Sequence, residues 1–304
     1  MRFRLFDINK DGKGVEKNED RTPNIGFYFK NLWRKFPRLV SINLLMLLQI
    51  VPILFAFLTY FWSDTVPTLT SLSFPIYYGT SQFDSSPSSL LYLLTSSVQF
   101  NVPAFSTWDC AQIALWLLLG ALTFGWCNVA FTYLMREMVR GNPVFIFSDI
   151  KYAIKKNFKQ GFWVGLADFA ILAILFFNIF TMQSDTDPFN TVLYFANLGI
   201  LIIYAVMRFY IYLMLITFDI KFIKMIKNAL IFVVLGLKRN ILAIAWILLL
   251  AGLNFAIFMV YLPLGIALPL LYILSVSLFT TTYAAYPIIE RYMITPYQST
   301  QDNE

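Results

Sequence analysis

Residues 26–64 read GFYFKNLWRKFPRLVSINLLMLLQIVPILFAFLTYFWSD. Lys30, Arg34, Lys35 and Arg38 crowd the start, residues 39–63 carry no charge, and the first charge beyond them is Asp64. As a helix, residues 39–62 reach about 36 Å, enough to cross a hydrocarbon core of roughly 30 Å. Outward from this run, Lys and Arg stay absent through residue 135 and return at Arg136. A soluble domain has no reason for such a gap. A membrane protein does, because short cytoplasmic loops gather Lys and Arg while exported ones lack them.

Composition agrees. Of 304 residues, 59% are hydrophobic and only 13% charged, and the mean hydropathy is +0.66. An ordinary globular domain is about a quarter charged, so this chain has too little polar surface to dissolve. The net charge of +6 does not indicate nucleic acid, because the cations flank apolar runs, where the partner is an anionic leaflet or a cytoplasmic protein. No histidine occurs, which removes the commonest general base and metal ligand. Cys110 and Cys127 lie on one expected helix about 25 Å apart and cannot pair. No Walker motif, CxxC pair or nucleophile elbow is found. The expectation is a non-enzyme without metal or cofactor.

The fold expected is an all-α integral membrane protein of six transmembrane helices, over about 39–62, 109–134, 161–181, 190–217, 240–261 and 264–287. Residues 1–38 form a basic segment whose Gly26–Arg38 stretch, with aromatics among cations, suits an interfacial helix. The first run follows a charged stretch too long for a signal-peptide n-region and is read as a retained anchor. Residues 63–107 form a cation-free outer loop, in which Ser88–Phe100 suits a short surface or re-entrant helix; 291–304 is a polar tail. Of the 23 cations, all but Arg208 fall in segments on one side of this topology. That side is cytoplasmic by the same loop rule, and both termini share it.

Two of the cation-rich segments resemble each other. Ser148-Asp149-Ile150-Lys151 leads to Lys155-Lys156-Asn157; seventy residues later Phe218-Asp219-Ile220-Lys221 leads to Ile226-Lys227-Asn228. Each suits an amphipathic surface helix with an acid near its start and lysines beyond, as the helix dipole favours. Each would sit between an inward and an outward span, so a parallel repeat and convergent capping chemistry both fit. Asp149, Lys151, Lys155 and Lys159, with Asp219, Lys221, Lys224 and Lys227, are candidate contacts for a cytoplasmic partner or for lipid.

Two charges fall inside spans. Asp168 lies about 10 Å and Arg208 about 15 Å from the cytoplasmic end of neighbouring antiparallel helices. Intramembrane charges are costly and pair or face a wet cavity. The candidates are an ion pair between them, or an Arg208 that snorkels while Asp168 finds another partner. Asn43, Gln49, Asn128, Asn178, Asn197 and Asn254 also punctuate the spans, as interhelical hydrogen-bond partners or as the lining of a solute path. Gly120 and Gly125 suit close helix approach. In the outer region Tyr77, Tyr78, Tyr92 and Trp108 are candidate extracellular contacts, whether for sugar, for a partner or for the interface.

Several stretches resemble the YesL family over roughly residues 5–290. They are Gly12-Lys13-Gly14-Val15, Trp33-Arg34-Lys35-Phe36, Asn43-Leu44-Leu45, and Met138-Val139-Arg140-Gly141 followed by Val144-Phe145-Ile146-Phe147-Ser148-Asp149. Lys156-Asn157-Phe158-Lys159-Gln160, Asn228-Ala229-Leu230 and Lys238-Arg239-Asn240 continue the match. The resemblance implies a multi-pass protein of the bacterial plasma membrane, encoded near carbohydrate ABC importers, and it transfers no catalytic residue. It implies an accessory role in oligosaccharide uptake, with importer permease subunits and a solute-binding protein as partners. Two other functions stay open: a stand-alone small-solute channel or transporter, and a membrane component signalling to a two-component sensor.

Overall fold

The computed structural model describes residues 23–62, 65–67, 101–103, 106–182 and 187–296. Their elements are α1 (Ile25–Trp62), β1 (Thr65–Pro67), β2 (Asn101–Pro103), α2 (Thr107–Arg140), α3 (Ile146–Lys156), α4 (Phe158–Met182), α5 (Pro188–Thr217), α6 (Phe222–Leu235), α7 (Leu237–Val260), α8 (Leu262–Leu268) and α9 (Leu274–Ile289). The architecture is all-α and multi-pass: six helical stretches are long and apolar enough to cross a membrane, the last being the composite Leu262–Ile294. β1 and β2 pair antiparallel with Val66 opposite Val102, which joins the chain just after α1 to the chain just before α2.

Local chemistry sets the boundaries. Ser106 opens α2 with a capping box, its hydroxyl accepting from Asp109 N at 3.1 Å while Ser106 N donates to Asp109 Oδ2 at 2.9 Å. α2 ends at Gly141, whose φ of 84° is left-handed and suits only glycine at low cost. Asp187 caps α5, with Pro188 in the first turn where a missing N–H is harmless. The break before the sixth span falls at Tyr261, so Pro263 sits in the first turn of α8.

The stretch expected to form an interfacial helix, Gly26–Arg38, is not a separate element. It continues through Pro37 into the first span as one helix of 38 residues. Packing offsets the proline: Tyr28, Asn31, Leu39 and Ile42 are all buried. Lys35 Nζ donates to Met138 O at the end of α2, and Arg239 Nη2 donates to Pro23 O at 3.0 Å. The segment before Pro37 thereby bridges the basic ends of α2 and α7.

Pro269 opens a π-helical turn over Pro269–Ile273 within the sixth span. Such a turn leaves carbonyls without their usual partners. Asn43, fully buried on α1, supplies them: Nδ2 donates to Pro269 O at 3.0 Å and Leu270 O at 2.8 Å, and Oδ1 accepts from Ser275 N at 2.9 Å. Asn128 and Asn197 instead bond back to Phe124 O and Leu193 O on their own helices.

Burial concentrates at the end of the bundle that carries the cations. One cluster surrounds Tyr210–Ile216 of α5 with Ala153, Met225, Ala229, Phe232, Ala285 and Ile289. A second joins Tyr28, Leu39 and Ile42 to Leu134, Met135, Met138 and Phe279. Toward the other end, α4, α5 and α7 turn Phe177, Phe180, Phe195, Leu253 and Val260 outward. On a membrane-spanning protein such side chains meet lipid tails.

Candidate functional site

The intramembrane charges meet where α2, α4 and α5 converge. Glycines make that junction possible. A Cβ on Gly125 of α2 would lie 2.0 Å from Gly161 O and 2.8 Å from Gly165 Cα, and one on Gly165 would lie 2.0 Å from Gly125 Cα. Backbone touches backbone there, so no larger residue fits. At Gly120 a Cβ would make only ordinary contacts of 3.7 Å, so close approach depends on Gly125 and not on Gly120. Gly161-x-x-x-Gly165, the small-residue spacing of close-packed membrane helices, is the signal that could have located its partner.

One helical turn beyond Gly165 stands Asp168, only 3% exposed. Arg208 Nε lies 2.9 Å from its Oδ1 and donates to Oδ2 at 3.0 Å. Two tyrosines complete the shell: Tyr204 Oη donates to Oδ1 at 2.9 Å and Tyr212 Oη donates to Oδ2 at 2.6 Å. The donors come from α5 at i, i+4 and i+8, one face of a helix. Arg208 Cζ also sits 5.5 Å from the Phe124 ring centroid and 5.9 Å from that of Tyr212, within cation–π range. An ionised carboxylate can only accept, and this one accepts from three side chains. Sequence reading singled out Asp168 and Arg208 and missed the tyrosines; their four-residue spacing from Arg208 was the available signal.

A second polar group closes the basic end of α2. Arg136 Nη1 donates to Ile216 O at 3.0 Å and Thr217 Oγ1 at 3.2 Å, placing a cation on the last turn of α5, as the helix dipole favours. Its Nε and Nη2 donate to Glu137 Oε1 at 3.0 and 2.8 Å, and Asn142 Nδ2 donates to Glu137 Oε2. Arg140 approaches the same carboxylate at 3.7 Å. The turn after α2 is therefore fixed by side chains on both flanks of Gly141.

Beside it opens a cleft of about 730 Å³ lined by Lys155, Lys156, Lys159, Gln160, Thr217 and Asp219, among others. Gln160 Nε2 donates to Ile220 O at 2.6 Å, tying the start of α4 to the α5–α6 connection. The fold thus brings Lys155, Lys159 and Asp219 together from the two similar segments. Lys151 projects elsewhere on α3, and Lys221, Lys224 and Lys227 are exposed on and before α6. Asp149 Oδ2 accepts from Phe145 N at 2.8 Å at the start of α3, whereas Asp219 precedes α6, whose N-cap is Lys221 with no side-chain cap bond. α6 exposes Ile223, Leu230 and Val234, and α3 exposes Phe147 and Tyr152. Trp108 lies exposed in the first turn of α2; Tyr77, Tyr78, Tyr92 and Ser88–Phe100 lie outside the described residues.

Among the described residues no cluster of three His, Cys, Asp or Glu side chains forms a metal-binding set. No curated protein and no solved structure matches the chain. A family model does match, over residues 110–179, from the start of α2 through most of α4. That region includes the three contacting glycines, Arg136–Gly141, α3 and Asp168. Its family is described as a protein of unknown function, DUF624, and residues 110–179 carry this domain, the one that YesL proteins have.

Proposed function

We propose that this chain is a non-enzymatic, multi-pass accessory protein of the bacterial plasma membrane that associates with a carbohydrate ABC importer and aids oligosaccharide uptake. Its basic end, with both termini, faces the cytoplasm. The cargo class comes from the YesL resemblance. The docking role is supported best by one observation: Lys155, Lys156 and Lys159 share a cleft with Asp219, so an exposed polar surface stands on a rigid, well-packed base. The non-enzymatic reading is supported by a sequence with no histidine and no nucleophile or phosphate-loop motif.

The Asp168 shell favours this over a stand-alone transporter. Its carboxylate is held by Arg208, Tyr204 and Tyr212, so a passing solute would first have to displace three donors. The test is a pull-down of the full chain in mild detergent from its native membranes. Importer permease or solute-binding subunits should co-purify, and Lys155→Glu with Lys159→Glu should abolish their recovery. Recovery of neither subunit, or recovery that ignores the charge reversal, would overturn the proposal. Oligosaccharide transport by the purified protein alone in liposomes would favour the transporter.

A further inference from the structure

A groove of about 550 Å³ runs between the start of α1, the start of α7 and α9. We propose that it binds one anionic phospholipid, with the phosphate held by Lys238 and Arg239 and an acyl chain laid along Phe29, Leu242 and Trp246. The inference is independent of the importer proposal.

The order of residues along α7 carries it. Lys238 and Arg239 stand in the first helical turn, and Leu242 and Trp246 follow one and two turns farther into the apolar span. Trp246 is therefore about 10 Å deeper than Arg239. Charge at the boundary with apolar wall below it repeats the layering of a phospholipid in its leaflet. Among the described residues neither cation has a carboxylate partner. Arg239 spends Nη2 on Pro23 O, which fixes the guanidinium at the lip while four of its five N–H donors stay available.

The walls turn polar ligands away. Tyr28 Oη is hydrogen-bonded to Thr280 Oγ1 at 2.7 Å, and Tyr283 Oη donates to Asn24 O at 2.8 Å. Their hydroxyls are engaged within the protein, and what faces the groove is largely hydrocarbon and ring. Phe29 meets Trp246 edge to face at 5.2 Å and 87°, a stiff surface suited to a methylene chain. A sugar would find few partners here. A zwitterionic lipid would bring its own cation to a cationic mouth, so an anionic headgroup is the complementary one.

Native mass spectrometry of the full-length protein in detergent tests this by titration with phosphatidylglycerol, phosphatidylcholine or oleate. One phosphatidylglycerol should be retained in preference to either other ligand. Lys238→Gln with Arg239→Gln should weaken that affinity about 20-fold, and Leu242→Trp, which fills the groove, should abolish it. Equal retention of phosphatidylcholine, or no loss in the double variant, would overturn the site. Oleate bound as tightly as phosphatidylglycerol would overturn the choice of phospholipid. A second readout needs no groove-filling variant: phosphatidylglycerol brominated on its acyl chain should quench the part of the fluorescence that Trp246→Phe removes. Absence of quenching at saturating lipid would contradict the proposal.

Discussion

The units α2–α3–α4 and α5–α6–α7 share an outline: a span running to the basic end, a short helix there and a span running back. They are held together by different chemistry. In the first, α2 and α4 touch backbone to backbone through Gly125, Gly161 and Gly165. In the second, Tyr210 Oη on α5 donates to Asn240 Oδ1 on α7 at 2.7 Å. Gly236 makes room for it, since a Cβ there would lie 2.2 Å from the Tyr210 oxygen. The family match covers the first unit alone. Matching short segments therefore mark similar turns at the basic end and not two copies of one packing solution. The units are complementary: one supplies the buried carboxylate and the other supplies every side-chain donor to it.

That difference can be broken at graded cost. Outside the Asp168 shell the largest effect is expected at Gly125→Leu, where the new side chain meets backbone and not a movable side chain. Overpacking of this kind costs about 3 kcal/mol or more, read as a large fall in thermal midpoint in mild detergent. Gly199→Ala and Gly252→Ala, in α5 and α7, meet nothing within 4 Å and should leave the midpoint unchanged or slightly raised. Equal losses at all three positions would erase the contrast between the units.

Tyr212→Phe comes next. It removes the 2.6 Å hydrogen bond to a buried carboxylate, and bonds to charged groups contribute about 2 kcal/mol. Tyr210→Phe, which breaks the neutral latch of the second unit, should cost about 1 kcal/mol, less than Tyr212→Phe in the same assay. The reverse order would mean that the latch, and not the carboxylate shell, dominates α5. The smallest pair compares the two similar acids. Asp149→Ala should lose about 0.5–1 kcal/mol because its carboxylate serves the start of α3. Asp219→Ala, exposed and without a capping role, should stay within about 0.5 kcal/mol. Equal losses would restore the idea of a structural repeat.

Much of this is legible in the sequence. The six spans follow from uninterrupted hydropathy, and the helices end close to the expected bounds except at the start of α1, which opens at Ile25 and runs through the cations and Pro37 before Leu39. Asp168 and Arg208 stood out because charge inside a span is rare. Their tyrosine partners did not, since tyrosine in a membrane helix also fits an interface or an apolar core. Gly125 was visible as a small residue, but its partners Gly161 and Gly165 depend on how α2 and α4 cross. The groove was hidden more deeply, because Phe29 precedes Trp246 and Tyr283 by more than two hundred residues along the chain. Asn43 read as one more polar amide until the π-turn at Pro269 gave it three partners.

The central claim is that the Asp168–Arg208 pair locks the two units together. A double-mutant cycle on Asp168 and Arg208, followed by thermal unfolding in mild detergent, tests it most directly. Arg208→Ala strands the buried Asp168 carboxylate and should cost about 3–5 kcal/mol, and Asp168→Ala strands the half-buried Arg208 within a span and should cost less. The double variant should then be no less stable than either single. Losses that add across the two positions would contradict the lock.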